Sequence, residues 1–390
     1  MTPNNKTIII ANEGVGKSET IISLCQEQNI IYAAHTIKRI EEIKDSFAQK
    51  GINFVVCCSN EDIFREFNIN ETLISFYKEA CKKGVRTVDF IEVALINNNE
   101  LKKSLLTRIT ENNNLLLKKD CNVIITIAKL KGLLLRFIKE TNLSTIVLDE
   151  FEASDFYSVT AESFNNKGTL HNCLYGGVQI TVYKNKYNLM NLLKCHSVII
   201  LSTERTKIER IFYGNEKYFI KDHSKLLKAR NVIYKLVHST SGKKEDDIKI
   251  RDLVIQNVKT LYSFIDEVIV NASNEGTVNH LQVRGSNEYS EKYTLVVATL
   301  PCPQEQKLFE LNCKDFYADK ELKDIQNDIN STLMSCQINQ SIGRNSGFRE
   351  RDKTCIVVLP ILAPNSDNCF KNLNLNLTYI SPNIKRLEEF

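Results

Sequence analysis

The amino-acid sequence predicts an α/β protein of two domains, each built on a parallel sheet, with a helical insertion in the first. Three observations carry this prediction. Short apolar runs alternate with amphipathic helical patterns through the first half, a second series of such runs begins after residue 225, and 390 residues exceed what one ordinary core accommodates.

In the first half the strand-like runs are Thr7 to Ala11, Ile30 to Ala34, Asn53 to Cys57, Asn122 to Thr126, Thr145 to Leu148 and Ser197 to Leu201. They are continuous rather than alternating, as strands covered on both faces require. Between the third and fourth runs, residues 60–118 read as several amphipathic helices with Asn-rich breaks, longer than a plain crossover needs. The stretch Phe156 to Leu193 contains Gly168, Gly176 and Gly177 beside alternating Val178, Ile180 and Val182, a pattern compatible with a small hairpin. After Arg205 the pattern turns charged and helical through Lys221 to Lys225, so no further strand of the first sheet is expected. The boundary then falls near residue 225, giving domains of residues 1–225 and 226–390. The second series comprises Val232 to Val237, Glu267 to Asn271, His280 to Val283, Tyr293 to Thr299 and Thr354 to Leu359, with Ser239 to Asp247 an exposed loop.

Composition narrows the class. The 43% hydrophobic and 25% charged residues, with no apolar run long enough to span a bilayer, indicate a soluble protein without a membrane partner. Residues 1–10 hold too short an apolar stretch for a signal peptide, so a cytoplasmic location is expected. Twelve cysteines without a CxxC pair read as small buried hydrophobes in a reducing compartment. The net charge of +4 permits an anionic partner without identifying one, so the partner must come from motifs.

The most specific motif follows the first strand. Ile8, Ile9 and Ile10 run into Ala11, Asn12, Glu13, Gly14, Val15, Gly16, Lys17 and Ser18, and Glu19 leads on into a helix carrying Ile21, Ile22 and Leu24. Gly14 and Gly16 let the backbone curl so that successive N–H groups face phosphates, and the new helix adds its positive end. Lys17 would reach the β- and γ-phosphates, and the Ser18 hydroxyl would take a place on Mg²⁺. Ala11 stands where the first glycine of such loops is usual. The alternative for this segment is a glycine-rich turn without a ligand.

A second motif closes the strand Thr145 to Leu148. Asp149 and Glu150 follow it, which puts two carboxylates at the carboxyl edge of a parallel sheet, where open α/β folds bind ligands. Asp149 can hold Mg²⁺ through water, and Glu150 can polarise an attacking water and accept its proton. The plainer reading is a solvated strand end.

With this pair, written Asp149-Glu150-Phe151-Glu152, the sequence resembles the superfamily 2 helicases of the DEAD/DEAH-like group. The resemblance implies two RecA-like domains with ATP and Mg²⁺ bound between them. It extends to Ser202-Thr203-Glu204, similar to the strand-end motif that couples hydrolysis to domain movement; a simple helix cap is the alternative. Tyr32 to Thr36 with Ile37-Lys38-Arg39-Ile40 looks like the motif that grips one strand's phosphates, which implies nucleic-acid contacts at His35, Thr36 and Lys38, with Thr126 as a further one. Gln340-Ser341-Ile342-Gly343-Arg344 resembles the arginine motif of the second domain. By this resemblance Gln340, Arg344 and the displaced Arg349 act on the γ-phosphate, since a guanidinium is permanently charged and forked. Arg284-Gly285-Ser286-Asn287 is similar to the family's glycine-containing motif, which implies a nucleotide contact at Gly285 and a nucleic-acid contact at Asn287.

Cys57, Cys58, Cys81 and Cys121 occupy the interval in which some such helicases bind an iron-sulfur cluster, but they lack the close paired spacing, so a cluster is not expected. Only ten residues precede Ala11, so an upstream adenine-reading motif is not expected and base selectivity stays open. The expected partner is single-stranded DNA or RNA, and a protein partner supplying specificity is left open. Two rival functions remain at this stage, an ATPase that remodels protein or protein-DNA complexes without unwinding and a nucleotide-binding module without turnover.

Overall fold

The computed structural model describes residues 6–11, 17–137, 143–149, 158–160, 181–183, 189–222, 232–238, 244–271, 273–283, 288–289, 291–342, 355–360 and 378–379. In chain order the first elements are β1 (Lys6–Ile10), α1 (Lys17–Glu27), β2 (Ile30–Ala34), α2 (Ile37–Gln49) and β3 (Phe54–Cys57). Helices α3 (Asn60–Glu66), α4 (Glu71–Lys82), α5 (Thr87–Ala94) and α6 (Asn99–Asn114) follow, then β4 (Asn122–Thr126), α7 (Ile127–Arg136) and β5 (Thr145–Asp149). Next come β6 (Ser158–Thr160), β7 (Thr181–Tyr183), α8 (Leu189–Leu192), β8 (Val198–Ser202), α9 (Arg205–Ile211) and β9 (Phe219–Asp222). The remainder supplies β10 (Val232–His238), α10 (Lys244–Leu261), β11 (Glu267–Val270), α11 (His280–Val283), β12 (Thr294–Val297), α12 (Pro303–Asn312), α13 (Lys314–Tyr317), α14 (Leu322–Ile342), β13 (Cys355–Pro360) and β14 (Thr378–Tyr379).

These elements form two RecA-like sheets. The first has seven strands in the order β3-β4-β2-β5-β8-β1-β9 and the second five in the order β11-β12-β13-β10-β14. The registers described in both are parallel, whereas β6 and β7 form a separate antiparallel pair within the segment expected to hold a hairpin. By contacts the chain divides into one unit of Met1–Asn4, Ser18–Asp149 and Leu192–Val198, and another of Asn5–Lys17, Glu150–Asn191 and Ile199–Phe390. Among the described residues no helix is long and apolar enough to cross a membrane.

Within the first unit β2 lies between β4 and β5, and all five of its residues are buried. That is why Ile30 to Ala34 is a continuous apolar run instead of an alternating one. Helix α2 turns Ile40, Ile43 and Phe47 inward, and α7 does the same with Ile127, Leu130, Leu133 and Leu134, both at helical spacing. Each such side chain contributes about 1.5–3 kcal/mol on leaving water.

The insertion of helices α3 to α6 has its own small core of Ile63, Phe64, Ile74, Tyr77, Ile91, Leu105 and Ile109. Aromatic rings knit it together, with Phe64 and Tyr77 centred 4.8 Å apart and Tyr77 and Phe90 5.3 Å apart. Ser59 and Asp62 form a capping box that starts α3, as a Ser with an acid three residues on predicts. One side chain binds the last helix of the insertion back to β3. Asn112, fully buried, accepts from the Cys58 N–H at 2.9 Å and donates to the Cys58 carbonyl at 3.0 Å, while its own carbonyl accepts from the Cys57 thiol.

In the second unit, helix α10 lays Val254, Ile255 and Val258 on Val268, Val270, Leu295, Val297, Ile356 and Val358 of the five-stranded sheet. A further cluster joins Phe309 and Cys313 of α12 and its C-cap to Tyr317 of α13 and Ile329 of α14.

Three sequence expectations need correction. The stretch expected as a loop through Asp247 is helical from Lys244, where α10 begins with Glu245, Asp246 and Asp247 in its first turn, a placement that suits the positive helix end. The run His280 to Val283 is a short helix, not a strand; its buried residues His280 and Val283 are three apart and share one helical face, a spacing that four residues cannot distinguish from a strand by periodicity. The first sheet also does not end before Arg205, because β9 adds an edge strand in parallel register with β1, Thr7 opposite Phe219 and Ile10 opposite Asp222. Lys221 and Asp222 are therefore extended and not helical. The strand left no apolar signature because it is mostly exposed, Phe219 included at 65%.

Asn112→Ala removes the partner of both main-chain groups of Cys58, so a loss of about 1–3 kcal/mol per stranded group is expected in urea unfolding. The exposed Asn114→Ala should stay within about 0.5 kcal/mol of the parent. Equal midpoints for the two variants would refute the tether.

Candidate nucleotide and nucleic-acid site

The predicted phosphate loop begins where β1 ends. Ala11 is buried, and its N–H donates to the Ser202 carbonyl at 2.9 Å, tying the exit of β1 to the end of β8. Residues 12–16 lie outside the described residues. Lys17, Ser18 and Glu19 form the first turn of α1, with Glu19 exposed. Glu150, Gly285, Asn287, Arg344 and Arg349 also fall outside the described residues.

The carboxyl edge formed by β4, β2 and β5 is defined residue by residue. In the parallel register Ala34 stands opposite Thr126 on one side and Asp149 on the other, so three strand ends finish level. The chain then turns into helices at two of them. Thr36 caps α2, its Oγ1 accepting from the Arg39 N–H at 3.2 Å, and Thr126 caps α7, its Oγ1 accepting from the Lys129 N–H at 3.3 Å. Accepting one N–H leaves each threonine's own O–H hydrogen able to donate to an anion. His35 and Lys38 are exposed beside the first cap. Lys129 reaches Asn60 of the insertion at 2.6 Å, and burial lowers its pKa below the ordinary lysine value.

Asp149 is only 3% exposed, so its carboxylate has to be partnered. Its Oδ2 accepts from the Tyr32 hydroxyl at 2.5 Å and from Arg39 Nε at 2.8 Å. Burial first, and the adjoining carboxylate second, push the Tyr32 hydroxyl well above its ordinary pKa, so it remains a donor. Arg39 Nη1 also meets Glu42 Oε2 at 3.1 Å, one turn along α2. The other oxygen of Asp149, Oδ1, is buried and takes no hydrogen bond among the described residues. An anionic oxygen in that condition is the donor type that Mg²⁺ or its bound water requires.

Tyr32 and Arg39 were not singled out by sequence as partners of the acidic strand end. A signal existed for Tyr32, since a tyrosine within an otherwise aliphatic buried strand must find a partner for its hydroxyl. None existed for Arg39, because its contact depends on how α2 packs over β5.

Within the second unit the end of β8 is held to α14. Thr203 and Glu204 are buried; the Glu204 N–H donates to Ser202 Oγ at 3.1 Å, and Asn339 Nδ2 of α14 donates to Glu204 Oε2 at 3.4 Å. Helix α9 then adds a forked pair, Arg210 to Asp328 at 2.7 and 2.9 Å, with Tyr317 donating to the same carboxylate at 2.7 Å. The Arg210 guanidinium also lies 4.5 Å from the ring centre of Phe316. Gln340 is buried in the last turn of α14, and its neighbour Ser341 meets His280 Nδ1 at 2.8 Å. The serine-threonine strand end and the helix leading into the predicted arginine motif are thus joined by the hydrogen bond between Glu204 and Asn339.

Solved structures of helicases resemble this chain. An XPD helicase aligns with a TM-score of 0.53 at 14% identity, covering 97% of this chain and 96% of that one. XPD in its apo form aligns with the same TM-score of 0.53 at 13% identity, covering 97% of each chain. No family model and no curated protein matches the sequence. The fold is therefore similar to that of these helicases, with RecA-like parallel sheets and a helical insertion in the first.

A double-mutant cycle on Arg210→Ala and Asp328→Ala is expected to show a coupling of about 0.5–3 kcal/mol in urea unfolding. Strict additivity would remove the ion pair from any account of how α9 is held.

Proposed function

We propose that the protein is an ATP-dependent nucleic-acid helicase or translocase, with ATP hydrolysed in a cleft between two RecA-like domains of residues 1–225 and 226–390. The observation that carries this reading is the buried Asp149 carboxylate, with one oxygen anchored by Tyr32 and Arg39 and the other without a hydrogen-bond partner among the described residues, at the carboxyl edge of a helicase-type parallel sheet.

In this reading the backbone of residues 11–16 and the side chain of Lys17 cradle the triphosphate, and Ser18 with Asp149 holds Mg²⁺. When bound, the ion neutralises charge on the phosphoryl group being transferred. Glu150 orients the attacking water and accepts its proton, while Gln340 and the arginines at 344 and 349 face the γ-phosphate from the second domain. Single-stranded DNA or RNA lies across the N-termini of α2 and α7, where His35, Thr36, Lys38 and Thr126 meet its phosphates. Asn287 contributes from the second domain, and Gly285 from the same segment lies on the nucleotide. The level ends of β2 and β4 favour this arrangement, because they set two capped helix starts side by side.

Phosphate release measured with Mg²⁺ and ATP, with and without a panel of single-stranded and duplex nucleic acids, tests the reading. Hydrolysis should rise on adding single strands, and Lys17→Ala and Asp149→Asn should each lower it by about 100-fold or more. Glu150→Gln should bind ATP without turning it over. A rate indifferent to every nucleic acid would point to a remodelling ATPase, and a rate unchanged by Lys17→Ala would remove the nucleotide site altogether.

A further inference from the structure

Among the described residues, Arg39 touches both the helix cap at Thr36 and the acidic strand end at Asp149. Its main-chain N–H donates to the Thr36 cap, and its guanidinium donates to Asp149 Oδ2. We propose that Arg39 is a positioning residue that couples occupancy of the strand site at the start of α2 to occupancy of the magnesium site at Asp149. The inference rests on the proposed function and adds to it a specific link between the two ligands.

The physical case has three steps. First, the link is stiff. Arg39 and Asp149 are 16% and 3% exposed, Tyr32 is fully buried, and Glu42 holds the far side of the guanidinium, so neither end moves without the other. Second, the carboxylate is a rigid plane. A shift of Oδ2 toward or away from Arg39 re-aims Oδ1, the oxygen that lacks a partner among the described residues. Third, the charges give the coupling its sign. A cation drawn to Oδ1 takes up part of the charge that Arg39 compensates, which leaves the first turn of α2 more positive and more attractive to a phosphate. A phosphate bound at that turn draws on Arg39 in the opposite sense and leaves Asp149 more available to the cation. The two ligands therefore favour each other, and linkage requires the factor to be the same in both directions.

This is tested by binding and needs no turnover. With the full chain, the affinity of a fluorescein-labelled oligothymidylate and a matched oligouridylate is measured with and without Mg²⁺ and a non-hydrolysable β,γ-imido ATP analogue. The parent protein should bind its strand roughly 5- to 150-fold more tightly with the analogue present. Arg39→Gln should bring that factor down to near one, whereas Tyr32→Phe, which keeps the ion pair, should retain most of it. If Arg39→Gln does not fold, Arg39→Lys serves in its place. An ammonium keeps a charge beside Asp149 but cannot hold Asp149 and Glu42 in one plane, so its factor should fall in the same direction. Should Arg39→Gln, or Arg39→Lys in its stead, keep the parent's factor, or Tyr32→Phe lose it equally, the coupling role is overturned while the helicase reading stands. Failure of the parent protein to bind the Mg²⁺ analogue or either strand would overturn both.

Discussion

A carboxylate taken out of water must be compensated, and at Asp149 that requirement organises its surroundings. The buried centre of the first sheet places this side chain at the end of β5, level with Ala34 of β2. Tyr32 supplies a hydroxyl from the neighbouring strand and Arg39 a guanidinium from the helix above, both to one oxygen. Desolvating an ion pair costs several kcal/mol, which a good geometry with additional hydrogen bonds offsets only in part. A core of aliphatic residues at these positions would serve stability as well. The polar cluster is explained by what it leaves over, a second carboxylate oxygen fixed in direction and without a partner among the described residues.

The same logic of satisfied polar groups appears where elements join. Asn112 ends the helical insertion by taking over both main-chain groups of Cys58 just after β3, a bond pattern that mimics one more rung of a sheet. Burial pushes the Cys57 thiol up to about 11, so it is a neutral donor to the Asn112 carbonyl and not a nucleophile. In the second unit, the carboxylate of Asp328 collects Arg210 and Tyr317 on the surface where α9 meets α14. These contacts link the strand end at Thr203, which resembles a coupling motif, to the helix that carries Gln340 of the stretch resembling the arginine motif.

Much of this was legible from residue order alone. The parallel sheets were visible because strands buried on both faces are continuous apolar runs, as Ile30 to Ala34 and Val123 to Ile125 are. The insertion was visible because its helices carry apolar residues at helical spacing, now seen as the cluster around Phe64 and Tyr77. The edge strand β9 was not, because a strand with exposed faces owes its existence to the unpaired backbone of β1 and not to its own side chains. The helix at His280 was equally hidden, because four residues are too few for periodicity to separate helix from strand, and the partners of His280, the Val297 carbonyl and Ser341, lie 17 and 61 residues along the chain.

By itself the sequence determined the class of the fold and the strand ends at which chemistry-bearing residues would stand, since both follow from local periodicity; the caps at Thr36 and Thr126 were seen only in the structure. Only the tertiary structure decided who partners those residues. Asp149 meets Tyr32 and Arg39 across more than a hundred residues of chain, and Glu204 meets Asn339 across a similar span. Such contacts are set by strand order and helix packing, through which the energy of burying a charge is shared among residues that no local pattern connects.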